Sequence, residues 1–198
     1  PDDTVDAAKS VRRSGSTIKA GEIDFSLLTD GLEAEREQGI TIDVAYRSMN
    51  LFNGRRLIIA DAPGHEQYTR NMAVAASRAD IALVLVDATR GIRIQTLRHL
   101  TICSLMGVTK IAVVVNKLDG VDYSEQVFKD VQEGLKETIE HLDIKYIEFV
   151  PVSALAGDNV VYPTKNMPWY LGPTLLDYIQ KWELQDSGEN LPRLGVQM

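Results

Sequence analysis

The chain has 198 residues, 44% of them hydrophobic and 25% charged, a globular composition that excludes disorder throughout and fits one domain with a real core. Its formal net charge of -7 sets the surface as a whole against a phosphate backbone, so broad nucleic-acid binding finds no support. The one cysteine, Cys103, excludes an internal disulfide or a multi-cysteine metal site and reads as a core filler in a reducing compartment; with no apolar run of about 18 residues and no signal-peptide pattern, a cytoplasmic protein without membrane contact is expected.

The chain opens on Pro1, and residues 1–30 are polar and punctuated by Gly15 and Gly21, an irregular lead-in until Phe25, Leu27 and Leu28. From Ile40 onward short apolar runs alternate with helical patterns. Ile42–Leu51, Leu57–Ala60, Ile81–Val86, Ile111–Val115 and Ile147–Val152 read as strands. Three of these are nearly continuous Ile, Val, Leu and Ala, the pattern of strands covered on both faces. Helices are expected over Ile94–Met106, over Ser124–Leu142 with Phe128, Val131, Leu135, Ile139 and Leu142 on one stripe, and over Thr174–Trp182 with Leu175, Leu176, Ile179 and Trp182 inward. Strands separated by helices give an α/β fold whose later strands are parallel, and such sheets bind ligands at the carboxyl ends of their strands. Gly188–Pro192 reads as a linker, and a domain boundary is expected near Leu184.

The loops at those strand ends carry the chemistry. After Ala60 comes Asp61-Ala62-Pro63-Gly64-His65, a D-x-x-G loop. An Asp there reaches magnesium through water, and the glycine brings its N–H against a terminal phosphate with no side chain in the way. Alone the motif is weak, since many strand-to-helix turns look like this. After Val115 comes Asn116-Lys117-Leu118-Asp119. Asp119 is suited to accept from guanine N1 and the exocyclic amine, a donor pair adenine lacks; Asn116 supports the loop and meets the base edge, and the Lys117 stem lies along the purine. After Val152 comes Ser153-Ala154-Leu155, whose backbone N–H is suited to the guanine oxygen. Upstream, Thr41 in Arg36-Glu37-Gln38-Gly39-Ile40-Thr41-Ile42 offers a hydroxyl to magnesium and an N–H to a γ-phosphate, a contact that orders a loop only while that phosphate is present. The order of the D-x-x-G, N-K-x-D and Ser153-Ala154-Leu155 signals, each at a strand's carboxyl end, makes chance a poor explanation.

The run Ala34-Glu35-Arg36-Glu37-Gln38-Gly39-Ile40-Thr41-Ile42-Asp43 together with Asp61-Ala62-Pro63-Gly64-His65 resembles translational GTPases, as does Asn166–Leu176. Asp30-Gly31-Leu32, Val44-Ala45-Tyr46-Arg47, Glu66-Gln67-Tyr68-Thr69-Arg70-Asn71-Met72 and Gly157-Asp158-Asn159-Val160-Val161 are similar to one branch in particular, the large GTPase subunits of bacterial sulfate adenylyltransferase. The resemblance implies a G domain of the P-loop NTPase type over residues 1–184, with residues 185–198 leading into a following β-barrel domain. It implies GTP and GDP with Mg²⁺ as ligands, and a small catalytic subunit as partner that joins ATP and sulfate into adenosine 5′-phosphosulfate. It also implies that His65 positions the attacking water, that Thr41 and Asp61 serve the metal, and that Thr41, Asp61, Gly64, Asn116, Lys117, Asp119, Ser153, Ala154 and Leu155 hold the nucleotide. The same residues leave open an elongation- or release-factor-like GTPase acting with tRNA or the ribosome, and a degenerate G domain that only binds partners.

One departure stands out. A GTPase of this class needs G-x-x-x-x-G-K-[ST], whose N–H groups and lysine hold the β- and γ-phosphates, and no Gly-Lys dipeptide occurs in the 198 residues. Residues 1–30 look like the segment between the first helix and the first switch. The first strand, phosphate loop and first helix are therefore expected to be supplied by sequence upstream of Pro1, the strand lying between Leu57–Ala60 and Ile81–Val86, and the 198 residues alone are expected to be inactive.

Overall fold

The computed structural model describes residues 41–51, 54 and 56–181. The expected switch residues 30–40, Trp182 and the linker at 188–192 lie outside them. In chain order the elements are β1 (Ala45–Asn50), β2 (Arg56–Asp61), α1 (Thr69–Ala76), β3 (Ala82–Asp87), α2 (Ile94–Leu105), β4 (Lys110–Asn116), α3 (Glu125–Glu140), β5 (Tyr146–Pro151) and α4 (Leu175–Lys181). Short 3-10 turns at Glu66–Tyr68 and Leu118–Val121 follow β2 and β4.

β3, β4 and β5 form a parallel sheet in that order, as alternating strands and helices dictate. β4 is its centre, with Ile111 to Val115 all buried. Its alternation sends Ile111, Val113 and Val115 to one face, against Leu100 and Cys103 of α2 and Phe128, Val131 and Leu135 of α3. Ala112 and Val114 go to the other face, with Val150, Val152 and Tyr178 of α4. Each fully buried Val or Ile here contributes about 1.5–3 kcal/mol, which makes β4 the anchor of the sheet. Cys103 is inside this core, and burial pushes its thiol up to about 11.

The helices start where their caps stand. Ser124 Oγ accepts from the N–H of Val127 at 3.4 Å ahead of α3. Before α4, Thr174 Oγ1 accepts from the N–H of Asp177 at 3.1 Å, while Asp177 accepts from the N–H of Thr174 at 3.4 Å, a reciprocal capping box.

Three expectations need correction. β1 begins at Ala45 rather than Ile42, because Thr41 to Val44 are held by other contacts, among them the Asn71 side chain on the Ile42 carbonyl at 2.9 Å. The helix α1 was not anticipated: Thr69–Ala76 buries only Met72, Ala75 and Ala76, too little bulk to make a readable stripe. Finally, among the described strands β4 is covered on both faces, and β5 packs Val150 on one face and Ile147 and Phe149 on the other, but β2 and β3 are not covered in this way. In β3, Val84 and Val86 are buried while Leu83 and Leu85 are 39% and 62% exposed, and in β2 Ile58 is 64% exposed. α4 packs with Ala112, Val114, Val150 and Val152 of β4 and β5, leaving that face of β3 open.

β1 and β2 form a separate antiparallel pair, Ala45 opposite Asp61 through Asn50 opposite Arg56. Among the described residues no strand joins β2 to β3. None of the described helices is long and apolar enough to cross a membrane.

Candidate nucleotide-binding site

Parallel register sets the carboxyl ends of β3, β4 and β5 side by side, with Asp87 opposite Asn116 and Val115 opposite Pro151. The chains leaving them stay tied: the Ala88 N–H donates to the Asn116 carbonyl at 2.8 Å and the Leu118 N–H to the Val152 carbonyl at 3.3 Å. Asn116, Asp119 and Ser153 therefore meet although they come from two loops.

One carboxamide oxygen joins those loops. Asn116 Oδ1 accepts from the N–H of Lys117 at 2.7 Å and from the N–H of Ala154 at 2.9 Å. With its oxygen committed, Asn116 has its amide N–H pair to offer a ligand. Asp119 is fixed by Ser153, whose fully buried hydroxyl donates to Asp119 Oδ1 at 2.5 Å and accepts from the Ala156 N–H at 3.2 Å. The expected backbone donors of Ser153-Ala154-Leu155 are partly taken within the protein: the Ser153 N–H goes to the Asp158 carbonyl at 3.1 Å and the Ala154 N–H to Asn116. Leu155 is 88% exposed at the loop tip.

Lys117 has φ 64° and ψ 36°, a left-handed conformation that costs a non-glycine residue roughly 1–2 kcal/mol and tends to persist at functional loops. Its Nζ donates to Asp87 Oδ2 at 2.7 Å. Asp87 Oδ1 in turn accepts from the N–H and hydroxyl of Thr89 at 2.9 and 2.6 Å. The Lys117 bond, then the Thr89 hydroxyl, hold the Asp87 carboxyl down at about 2. Next to this pair the chain comes close: a Cβ on Gly120 would sit 2.8 Å from Thr89 Cγ2, so a side chain there would push the two loops apart. Asp87 directs the Lys117 stem and escaped the motif reading. Its signal was its position, an Asp at the carboxyl end of an apolar strand.

The second part of the site lies at the end of β2. Asp61 is the last residue of the strand, Pro63 is buried, and Gly64 and His65 are exposed. His65 has φ -79° and ψ 141°, and its ring stands 6.4 Å from that of Tyr68, tilted by 56°. Two side chains of α2 brace this loop. His99 Nε2 lies 3.1 Å from the Gly64 carbonyl, and since a carbonyl only accepts, that nitrogen carries the proton. Burial holds the His99 ring below the usual histidine range, against the opposing pull of the Gly64 bond. Arg98 pairs with Glu66 at 2.8 Å and keeps the Glu66 carboxyl below its ordinary value. From α1, Asn71 reaches the Ile42 carbonyl, next to Thr41. The loop of Asp61 to His65 and the segment at Thr41 are thereby tied to the helices flanking them.

Thr41 and Asp61 are hard oxygen donors, the type magnesium takes when one or two protein groups and the phosphates of its nucleotide share it. Among the described residues no group of three His, Cys, Asp or Glu side chains is placed to hold a metal ion.

Residues 3–184 match the elongation factor Tu GTP binding domain family. The chain belongs to that family. Within it, the protein named sulfate adenylyltransferase subunit 1 from Colwellia psychrerythraea is 53% identical over 190 residues, 96% of this chain and 40% of that one. The protein of the same name from Chromobacterium violaceum is 52% identical over 177 residues, covering 89% and 37%. The chain thus spans about two fifths of the length of these relatives. Among solved structures, the translation elongation factor SelB from Methanococcus maripaludis, in complex with the GTP analogue GPPNHP, is 30% identical with a TM-score of 0.53, covering 59% of this chain and 25% of that one. The α/β fold with a parallel sheet flanked by helices is the fold of this family.

Proposed function

We propose that this chain is the GTP-binding part of the GTPase subunit of sulfate adenylyltransferase, coupling GTP hydrolysis to the formation of adenosine 5′-phosphosulfate and pyrophosphate from ATP and sulfate. The observation that carries the reading is identity above one half to two proteins of that name over nearly the whole chain, against 30% to the translation factor SelB. The joined loops of Asn116, Asp119 and Ser153 support guanine recognition, and family membership supports GTP and GDP as ligands. Asn116, Lys117 and Asp119 face the base with the Ser153-Ala154-Leu155 loop. Gly64 approaches the terminal phosphate, and His65 orients the attacking water from an exposed position on a braced loop. Thr41 and Asp61 would hold Mg²⁺, which would supply charge neutralisation on the triphosphate.

Phosphate anchoring belongs to the same proposal. The β2 edge and the β3 edge lack a described strand between them, and Ile58, Leu83 and Leu85 are exposed there. A strand, a G-x-x-x-x-G-K-[ST] loop and a helix supplied by sequence outside the 198 residues would pair both edges through the strand, place the N–H cradle of the loop beside Asp61 and Gly64, and bring the helix to a sheet face as cover for apolar side chains. A small catalytic subunit in the cytoplasm, handling ATP and sulfate, completes the assembly. Residues 1–184 form the G domain of this reading, and residues 185–198 lead into the next domain.

The test uses the full-length protein with the small catalytic subunit from the same organism. Sulfate-dependent pyrophosphate release is expected to rise on adding GTP and to fall back with a non-hydrolysable analogue. Pyrophosphate release indifferent to GTP, with GTP hydrolysis stimulated by ribosomes instead, would replace the proposal by the translational alternative.

A further inference from the structure

Two stretches outside the loops discussed so far, Gly157–Val161 and Asn166–Tyr170, converge on one carboxylate. Asp158 Oδ2 accepts from the Tyr123 hydroxyl at 2.6 Å and from Asn166 Nδ2 at 3.0 Å, and its Oδ1 accepts from the Thr164 hydroxyl at 2.7 Å. The Asp158 carbonyl accepts from the N–H of Ser153. Tyr123 closes the turn that begins at Asp119: its φ is 53°, its N–H donates to the Leu118 carbonyl at 2.8 Å, and its own carbonyl accepts from Trp169 Nε1 at 3.0 Å. Trp169 packs on Phe128 of α3, ring centroids 5.3 Å apart. Asn159, buried and at φ 58°, holds the neighbouring backbone through its Nδ2 on the Pro151 carbonyl at 2.8 Å.

The result is a further link between the two base-facing loops, beside those from Ser153 to Asp119, from the Ala154 N–H to Asn116 and from the Leu118 N–H to the Val152 carbonyl. The carboxylate accepts from three neutral donors, an arrangement that favours its ionised form. The Tyr123 bond, followed by that from Thr164, lowers its pKa from the ordinary value. Hydrogen bonds to an ionised acceptor are roughly twice as strong as neutral ones, so this clasp holds the loops through charge-assisted bonds of the same kind as that from Ser153 to Asp119.

We propose that Asp158 is a positioning residue for base recognition: through Tyr123 it clasps the Asp119 loop to the Ser153 loop and sets how long a guanine nucleotide stays bound. The proposal rests on the guanine reading above. Opening the clasp leaves Asp119 held by Ser153 alongside the Asn116 and Leu118 ties between the loops, with more freedom to drift from the exocyclic amine of the base, so release accelerates while encounter does not change.

The experiment measures dissociation of fluorescently labelled GDP and inosine diphosphate from the full-length protein and from Tyr123→Phe, Asp158→Ala and the double variant. Tyr123→Phe keeps the ring packing and removes one hydroxyl. It is expected to raise the GDP off-rate about tenfold, as the loss of one charge-assisted bond would, with the on-rate within twofold. Inosine diphosphate lacks the exocyclic amine, so its off-rate rises less and the GDP preference narrows. The double variant is no faster than Asp158→Ala, since both changes break the same link. Equal acceleration of both nucleotides would mark a merely structural role, and wild-type off-rates in the variants would likewise overturn the proposal. If Asp158→Ala does not fold, Tyr123→Phe decides alone. Wild-type protein that binds GDP no tighter than ADP would instead overturn the guanine reading underneath, which keeps the two failures apart.

Discussion

In the full-length protein, Asp119→Asn is expected to lower GTP affinity by roughly 10²–10⁴ and to bring XTP affinity above it, since losing one or two hydrogen bonds to a charged acceptor removes about 1.5–3 kcal/mol each. An amide presents a donor where the exocyclic amine of guanine needs an acceptor, whereas xanthine offers a carbonyl at that place. The Ser153 hydroxyl that now donates to Asp119 Oδ1 keeps a carbonyl acceptor in the variant, so the loop stays closed and the change falls on base choice. Competition titration of the variant with GTP and XTP checks this. An unchanged ratio between the two would remove Asp119 from base reading.

The second large effect concerns hydrolysis. His65→Ala in the full-length protein is expected to slow GTP turnover by about a hundredfold or more, the usual scale for a positioned acid, base or water-orienting group, while GTP affinity stays within a few-fold. The imidazole is exposed, whereas the loop that carries it is braced through backbone and neighbours, by His99 on the Gly64 carbonyl and Arg98 on Glu66. Removing the ring leaves those braces in place, so the loss belongs in kcat rather than in binding. Single-turnover hydrolysis beside equilibrium binding separates the two, and normal hydrolysis by the variant would take His65 out of the mechanism.

The parallel sheet was legible because β3, β4 and β5 are apolar runs ending in recognisable loops, and α3 because Phe128, Val131 and Leu135 fall on one stripe over a capping serine. What local pattern could not show was pairing at a distance. Asp87 reaches Lys117 across 30 positions, and Asp158 reaches Tyr123 across 35. Neither carboxylate has a neighbour in sequence that announces its partner. The Gly157–Val161 and Asn166–Tyr170 stretches were conspicuous as family signatures before any physical role was visible, and the clasp on Asp158 supplies one. Helix α1 was lost for the opposite reason: alanines bury little area, and an eight-residue helix gives periodicity few repeats in which to appear. The exposed faces of β2 and β3 differ from the two-sided burial their composition suggested, because hydrophobicity records what a strand is built to touch and the described residues hold no partner there.

The central claim is that the ends of β4 and β5 read guanine, and the most direct measurement is calorimetric titration of the full-length protein with GDP and with ADP under one buffer and one magnesium concentration. A site whose buried polar groups are arranged for one donor pattern rejects the analogue lacking it by roughly 10⁴–10⁵. The geometry of Asn116, Asp119 and Ser153 predicts a preference for GDP in that range, and equal affinity for the two nucleotides would contradict it.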